Sequence, residues 1–464
     1  MRQKLFCAVG GALILGVSAT ATVAMASEEN AARLGNDLTP MGSPMAGSAD
    51  GRIPAWTGGI EQMDVDLDAG EIYFIPYQGD ERLYTITADN MDEYSDRLTE
   101  AHKALFRTYP DTYKLHVFPT RRSASYPERA YEWAKINARN AYLDGSDGLN
   151  GAAVTWPFPV IEPDHEYAGE HVMWNHKANY VPQSVQYFYN QVLVTSDGTP
   201  SLVRMIQQVL YNYSREGITA EELADSNIQF YFIQRIISPS RLAGNVVLVH
   251  ETLNQETEPR QAWLYNPGQR RVRRAPNVAH DNPAQASDGL RTNDQNNMFN
   301  GALERYDWEL VGMRELYLPY NGYELLDLEL TLDDMVRRGH LNQDLARYEL
   351  RQAWVVDATV KEGTRHLYPR RTFYVDPDSW RILAVDIYDN RGNLWRAQEG
   401  HILNLYDVPF MAYGIETVYD LQSRRYALMG VSNMEDPATA FNYRAFQEGP
   451  DYYSPSNLRR LGRR

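Results

Sequence analysis

Hydrophobic and polar positions alternate most regularly near the C-terminal end of this 464-residue chain. In 352–360, Trp354, Val356, Ala358 and Val360 fall on one side of an extended chain, with Val355, Asp357 and Thr359 on the other. That period of two predicts a strand. Segments 349–361, 364–375, 379–388 and 393–405 are joined by Glu362-Gly363, Asp376-Pro377-Asp378 and Asn390-Arg391-Gly392. Connections so short leave no room for a crossover, so the four strands form an antiparallel meander. Upstream, 187–195 and 201–213 flank Asp197-Gly198, 228–237 pairs with 245–253, and 262–266 and 269–274 flank Pro267-Gly268, three further hairpins. Within 228–237, Ile228, Phe230, Phe232 and Ile236 share one face, and Gln229, Tyr231 and Arg235 mix on the other.

Helical spacing is confined to a few places. Met91, Tyr94, Leu98, Ala101 and Leu105 recur every three or four residues, which predicts one helix capped by Thr87 or Asp89 and stopped before Pro110. A second starts near Pro127 and ends before Gly145, with a narrow stripe of Tyr131, Ala134, Ala138 and Ala141. A third covers 331–345, with Leu332, Met335, Val336 and Leu345 as its apolar side. Residues 27–86 read as extended and turn-rich, and 276–302 form a long polar excursion with little periodicity. Loops of that length inside a domain are functional or mobile. Asp144-Gly145-Ser146-Asp147-Gly148, followed by Pro157, Pro159 and Pro163, marks a boundary.

The N-terminus adds a destination. Arg2 and Lys4 precede an apolar run from Cys7 to Val17, and Ala24-Met25-Ala26 follows, the layout of a cleavable signal peptide ending before Ser27. The apolar run is shorter than the ~20 residues of a membrane span. Cleavage removes the single cysteine and takes the net charge from −16 to −18. Disulfides, thiol catalysis and cysteine metal sites are thereby excluded. The acidic balance argues against nucleic acid as a partner, the 43% hydrophobic content excludes wholesale disorder, and the 12% aromatic content favours β-structure.

Candidate chemistry is sparse. His165, His171 and His176, beside Glu166 and Glu170, fit no metal-site spacing and read as polar loop residues. There is no nucleophile elbow, phosphate-binding loop or dinucleotide fingerprint, so no catalytic residue, metal or cofactor is implied. A large antiparallel sheet with an apolar face must be covered by helices, by itself or by an apolar ligand. Few helices are available, which makes an internal cavity the expectation, with Phe230, Phe232, Trp263, Tyr265, Trp354 and Val356 as its lining. For each of these alone, ordinary core is the competing reading. Arg270, Arg271, Arg273 and Arg274 put guanidinium groups on both faces of one strand. They are either a solvated strand end balancing surplus carboxylates or a cationic contact for anionic head groups or a partner protein.

Longer motifs carry a resemblance. Residues 33–40 (RLGNDLTP) and 50–59 (DGRIPAWTGG), the segment from Trp263 through Pro276, and Arg305 through Gly312 with Pro319-Tyr320-Asn321 resemble a family of exported Gram-negative proteins. Asp378-Ser379-Trp380 with Asp386, Tyr388 and Asp389 extends the match. That family, a domain of unknown function, is often described as outer-membrane lipoprotein-sorting proteins. The description implies similarity to the LolA/LolB fold, a half-open antiparallel barrel whose apolar concavity holds acyl chains under helical lids. It also implies a neighbouring transporter of the resistance-nodulation-division type and an outer-membrane barrel as partners.

The expected chain is therefore α+β and mainly β, a large curved antiparallel sheet with a few covering helices. Residues 1–26 are the signal peptide, 27–150 an extended and helical region packing on the sheet, and 151–464 the LolA/LolB-like domain with its inserted loop at 276–302 and helix near 331–345. The leading functional reading is a non-enzymatic periplasmic carrier, peripheral to the outer membrane, that shields a lipid or other hydrophobic ligand. A scaffold protein of an envelope transporter complex is the alternative, and an envelope glycan or lipid enzyme the third.

Overall fold

The computed structural model describes residues 27–71, 73–275, 280–440, 443 and 448–462. The expected signal peptide and residues 276–279 of the excursion lie outside them. Sixteen strands make one sheet. Its spatial order is Tyr84–Ile86, Leu115–Phe118, Tyr348–Val360, Arg370–Val375, Ile382–Tyr388, Leu394–Asn404, Met411–Asp420, Arg425–Val431, Asn190–Val194, Pro200–Leu210, Ile228–Ser238, Val246–Thr252, Gln261–Asn266 and Arg271–Arg274. Tyr306–Pro319 joins it beside Tyr348–Val360, and Ser184–Phe188 beside Pro200–Leu210. Pairing is antiparallel throughout, except where Leu115–Phe118 runs parallel to Tyr348–Val360. The two ends do not meet, so the sheet is open. The fold is the mainly-β class that the alternation predicts.

Three strands escape a period-2 reading for physical reasons. Met411–Asp420 and Arg425–Val431 are buried along nearly their whole length, so neither face is marked by polarity. In Tyr306–Pro319 a bulge at Leu310/Gly312 shifts the phase halfway along. The region 27–150 does not stop at packing on the sheet, because it supplies two of its strands.

Two helix expectations are corrected. The run 91–105 is broken at extended Leu98 into a 3-10 segment, Met91–Arg97, and an α-helix, Glu100–Thr108. Its cap is Thr99, whose hydroxyl accepts from the amide of His102 at 3.0 Å. The Asp386 carboxylate takes the amides of Glu100 and Ala101 at 3.1 and 2.9 Å, so an acid sits at the positive helix end. Leu98, Ala101 and Leu105 remain on the buried side. At 331–345 only Leu332–Met335 is α-helical. Extended Val336 ends it and bridges Leu341, and in the turn between them Gly339 has φ 91°, where a Cβ would meet the Tyr109 ring at 2.3 Å. The helix after Pro127 spans Glu128–Asn140, and its buried stripe is Ala130, Ala134 and Asn137. Asn137 replaces the expected alanines because its amide bonds the carbonyls of Ala153, Thr155 and Trp156.

The polar excursion is an inner layer. Arg291, Asp294, Gln295, Met298 and Phe299 are buried. Gln295 donates to Gln398 at 2.8 Å, the Met298 amide to Glu416 at 2.7 Å, and Arg396 to the Leu290 carbonyl at 2.8 Å. The sheet face that lacks helices is thus largely covered by the chain itself. Among the described residues, part of what it leaves uncovered is a cavity beside Ser184–Phe188.

Candidate ligand-binding cavity

The cavity lies where the sheet forks. Asn190–Val194 is paired on both sides, to Arg425–Val431 and to Pro200–Leu210. The preceding strand, Ser184–Phe188, keeps only the second partner. Between Ser184–Phe188 and Met411–Asp420 the layers part, and apolar side chains line the gap. At the floor, Gly430 has φ 85° at a bulge, and a Cβ on it would meet the Gly414 carbonyl at 2.7 Å, so only glycine permits this approach. The C-terminal end of helix Ala168–Lys177, residues 296–300 of the excursion, and Ala440 and Tyr443 complete the walls.

Eleven aromatic side chains line it: Tyr187, Phe188, Tyr189, Tyr211, Tyr213, Phe230, Phe232, Phe299, Phe410, Tyr413 and Tyr443. Tyr187 stacks on Tyr443 with centroids 5.7 Å apart, Phe410 meets Tyr443 edge-on at 5.2 Å, and Tyr211 tilts against Phe230 at 5.6 Å. Several hydroxyls are tied outward: Tyr187 donates to Gln207, Tyr413 to the Ile382 carbonyl and Tyr213 to the Thr155 carbonyl. Burial pushes Tyr211 up to about 12, so it stays neutral at physiological pH. The space open to the centre of a water-sized sphere is about 110 Å³, where one water needs roughly 10–15 Å³.

Three basic groups stand in this wall, of which Lys177 is paired with the Asp147 carboxylate at 3.3 Å. Arg381, directly before strand Ile382–Tyr388, is 6% exposed and donates from Nε to the Met411 carbonyl at 3.0 Å. His176 has Nδ1 3.1 Å from the Trp380 carbonyl and Nε2 3.0 Å from those of Asn297 and Phe299. These carbonyls favour the imidazolium, but burial, and after it the Arg381 charge, outweigh them and push His176 down to about 4.

Of the residues expected to line a cavity, Phe230 and Phe232 do. Trp354 is half-buried and Val356 fully buried in the main core beside Tyr306–Pro319 and Arg370–Val375. Trp263 and Tyr265 belong to a separate cluster under the C-terminal turn Leu458–Leu461. Arg270, Arg271, Arg273 and Arg274 are exposed on the terminal edge strand and the turn before it, away from the cavity. Arg274 donates to Gln261 at 3.0 Å. Arg271, Arg273 and Arg274 line a separate surface groove with Asn282, Pro283 and Asn293. His165 tilts against His171 at 4.5 Å and Phe158 stacks on His171 at 3.9 Å, while His176 lines the cavity wall. The signal that would have found Arg381 is a lone arginine inside an apolar run, Trp380-Arg381-Ile382-Leu383.

Glu170, in the first turn of helix Ala168–Lys177, carries a pH prediction. Burial raises its carboxyl to about 7, and Oε2 has no hydrogen-bond partner among the described residues. The folded state prefers the protonated form. The stability this adds is fully present below about 4.5 and lost as pH rises through about 7. Glu170→Gln is expected to remove that loss, on the order of 2–3 kcal/mol, so its melting temperature falls less than the parent's between pH 6 and 8.5. Parallel melting curves against pH for the two proteins would refute it.

Comparison with known proteins adds relatives. A family model described as "Protein of unknown function (DUF1329)" matches residues 85–459. An uncharacterized protein of Pseudomonas aeruginosa is 46% identical over 453 residues, 97% of each chain. Among solved structures, a DUF1329 family protein from Desulfovibrio piger overlaps 60% of this chain and 92% of its own, with 14% identity and a TM-score of 0.40. A LolA superfamily protein from Nitrosomonas europaea overlaps 59% and 91%, with 15% identity and a TM-score of 0.34.

Proposed function

The chain belongs to the DUF1329 family of proteins of unknown function, and on that premise we propose that it is a non-enzymatic carrier that holds a lipid or other hydrophobic ligand in the forked-sheet cavity. The observation that carries this reading is the wall of eleven aromatic side chains around an unfilled space. Such a surface stabilises a guest chiefly by removing apolar area from water, roughly 0.8 kcal/mol per methylene. In this reading the protein is exported through the segment 1–26, works in the periplasm, and passes its ligand towards the outer membrane. A transporter and an outer-membrane barrel are its donor and acceptor.

The test is lipid extraction and probe binding. Protein purified from its native periplasm should yield stoichiometric lipid by mass spectrometry, and the delipidated protein should bind the neutral probe N-phenyl-1-naphthylamine. Phe232→Asp places a charge in the wall and should weaken probe binding by about tenfold or more, a loss of ~1.4 kcal/mol. Trp354→Phe, outside the cavity, should leave binding unchanged. A clean extract together with no probe binding sinks the carrier. So does a Phe232→Asp variant with a native melting curve and parental affinity.

A further inference from the structure

We infer that Arg381 anchors the oxyanion head of an amphiphile whose apolar chain lies against the aromatic wall. The inference rests on the carrier reading and names the chemistry of its ligand. Most buried arginines here have a carboxylate against them. Arg122 meets Asp378 at 2.7 Å, Arg260 meets Glu251 at 2.5 Å, Arg351 meets Asp376 at 2.9 Å, Arg371 meets Asp294 at 2.9 Å and Arg396 meets Asp420 at 3.0 Å. Among the described residues Arg381 has no such partner. Its Nε donates to a carbonyl and its guanidinium lies 5.4 Å from the ring centre of Tyr413, and no carboxylate among the described residues lines the cavity. The nearby acid Glu416 feels the Arg381 charge, but its oxygens are taken by the Tyr189 hydroxyl and the Met298 amide. Arg291, also buried without an ion pair, lies in the excursion outside this wall and faces Gln191.

A guanidinium keeps its proton at physiological pH. Buried without an anion it is costly, and that cost falls when a ligand brings one. Its planar fork fits a carboxylate or phosphate. The positive field reaches the wall, where it opposes the upward push of burial on Tyr211, Tyr413 and Tyr443. The turn that presents Arg381 is tied at two points. Trp380 adopts φ 55° and donates from its indole to the Met41 carbonyl at 2.8 Å, and the Asp376 amide bonds the Arg381 carbonyl at 2.9 Å. A large residue held in the left-handed region costs energy, and such strain gathers at ligand clamps.

Displacement of N-phenyl-1-naphthylamine by oleate, oleoyl lysophosphatidic acid and oleyl alcohol tests the anchor with one constant chain. The parent should bind at least one of the two anions about tenfold or more tighter than the alcohol. Preference for oleate identifies a carboxylate head, and preference for the lysophosphatidic acid a phosphate head. Arg381→Met should erase the preference and leave alcohol binding within about twofold, and Arg381→Lys should restore it in part. Equal affinities of the parent for oleate, the lysophosphatidic acid and the alcohol overturn the anchor and leave the carrier standing. So does an Arg381→Met variant that keeps the preference. If none of the three displaces the probe from the parent, the carrier reading fails and the anchor with it. The parent's own affinity ratios need no variant, so the anchor stays testable even if Arg381→Met does not fold.

Discussion

Asp294→Ala is expected to destabilise the protein by ~3–5 kcal/mol and to release the inner layer formed by residues 280–302. Asp294 is buried, accepts from His366 at 3.1 Å and lies 2.9 Å from Arg371. Arg371 is fully buried, its guanidinium 4.7 Å from the ring centre of Tyr306, 5.0 Å from Phe299 and 5.4 Å from Phe373. Removing the acid leaves a cation with aromatic faces and no anion. Arg371, followed by the bond from His366, holds the Asp294 carboxyl well below the usual range against the upward push of burial. Its contribution is therefore complete above about 3.8 and lost only in stronger acid, so the penalty should be equal at pH 6 and pH 8. Denaturant unfolding measures it, and hydrogen exchange should show lost protection at 290–300. Adding Arg371→Met should recover much of the loss, since an apolar replacement of both partners removes the stranded charge. A penalty below 1 kcal/mol, or a double variant as unstable as the single, would refute this account.

Asp378→Ala should cost at least as much, because two buried guanidiniums share this carboxylate and one of them has no other. Asp378 accepts from Arg122 at 2.7 and 2.9 Å, from Arg351 at 2.9 Å and from the Ser43 hydroxyl. Arg122 also donates to the carbonyls of Pro44, Met45 and Pro54, and so ties the N-terminal segment to the turn between Arg370–Val375 and Ile382–Tyr388. Arg351 has its own second acid, Asp376, and stacks 3.7 Å over Tyr320. Arg122 is therefore the group left, among the described residues, with carbonyls and the Ser43 hydroxyl but no carboxylate. The expected result is a loss of ~3–5 kcal/mol or more, with the first new protease cleavages between residues 40 and 60 under conditions where the parent is uncut. Arg122→Met should open the same segment at a smaller overall cost. Parental protease resistance in both variants would show that the segment is held by something else.

The strands and their antiparallel order were legible because a half-buried strand writes its environment into every second residue. Phe230 and Phe232 were legible as wall residues for the same reason. Trp354 and Val356 carry the same pattern and lie in filled core, because alternation reports that a face is covered and not what covers it. The helix expected at 91–105 shows a related limit. Its apolar spacing is real, and the same side is buried, yet Thr99 and Asp386, 287 positions apart in the chain, settle where the α-helix begins.

The alternation, the short turns and the acidic, aromatic-rich composition by themselves determined a mainly-β chain with an antiparallel meander, because these are local consequences of each residue's own polarity and conformational freedom. Only the tertiary structure decided that the polar excursion packs as an inner layer, that the sheet forks at Tyr189, and that Arg381 has no counter-ion among the described residues in the resulting space. Those outcomes depend on which distant groups meet. Asp294 and Arg371 find each other across 77 positions, and no carboxylate among the described residues forms an ion pair with Arg381. Desolvated charges are governed by such pairings and not by the residues that flank them in the chain.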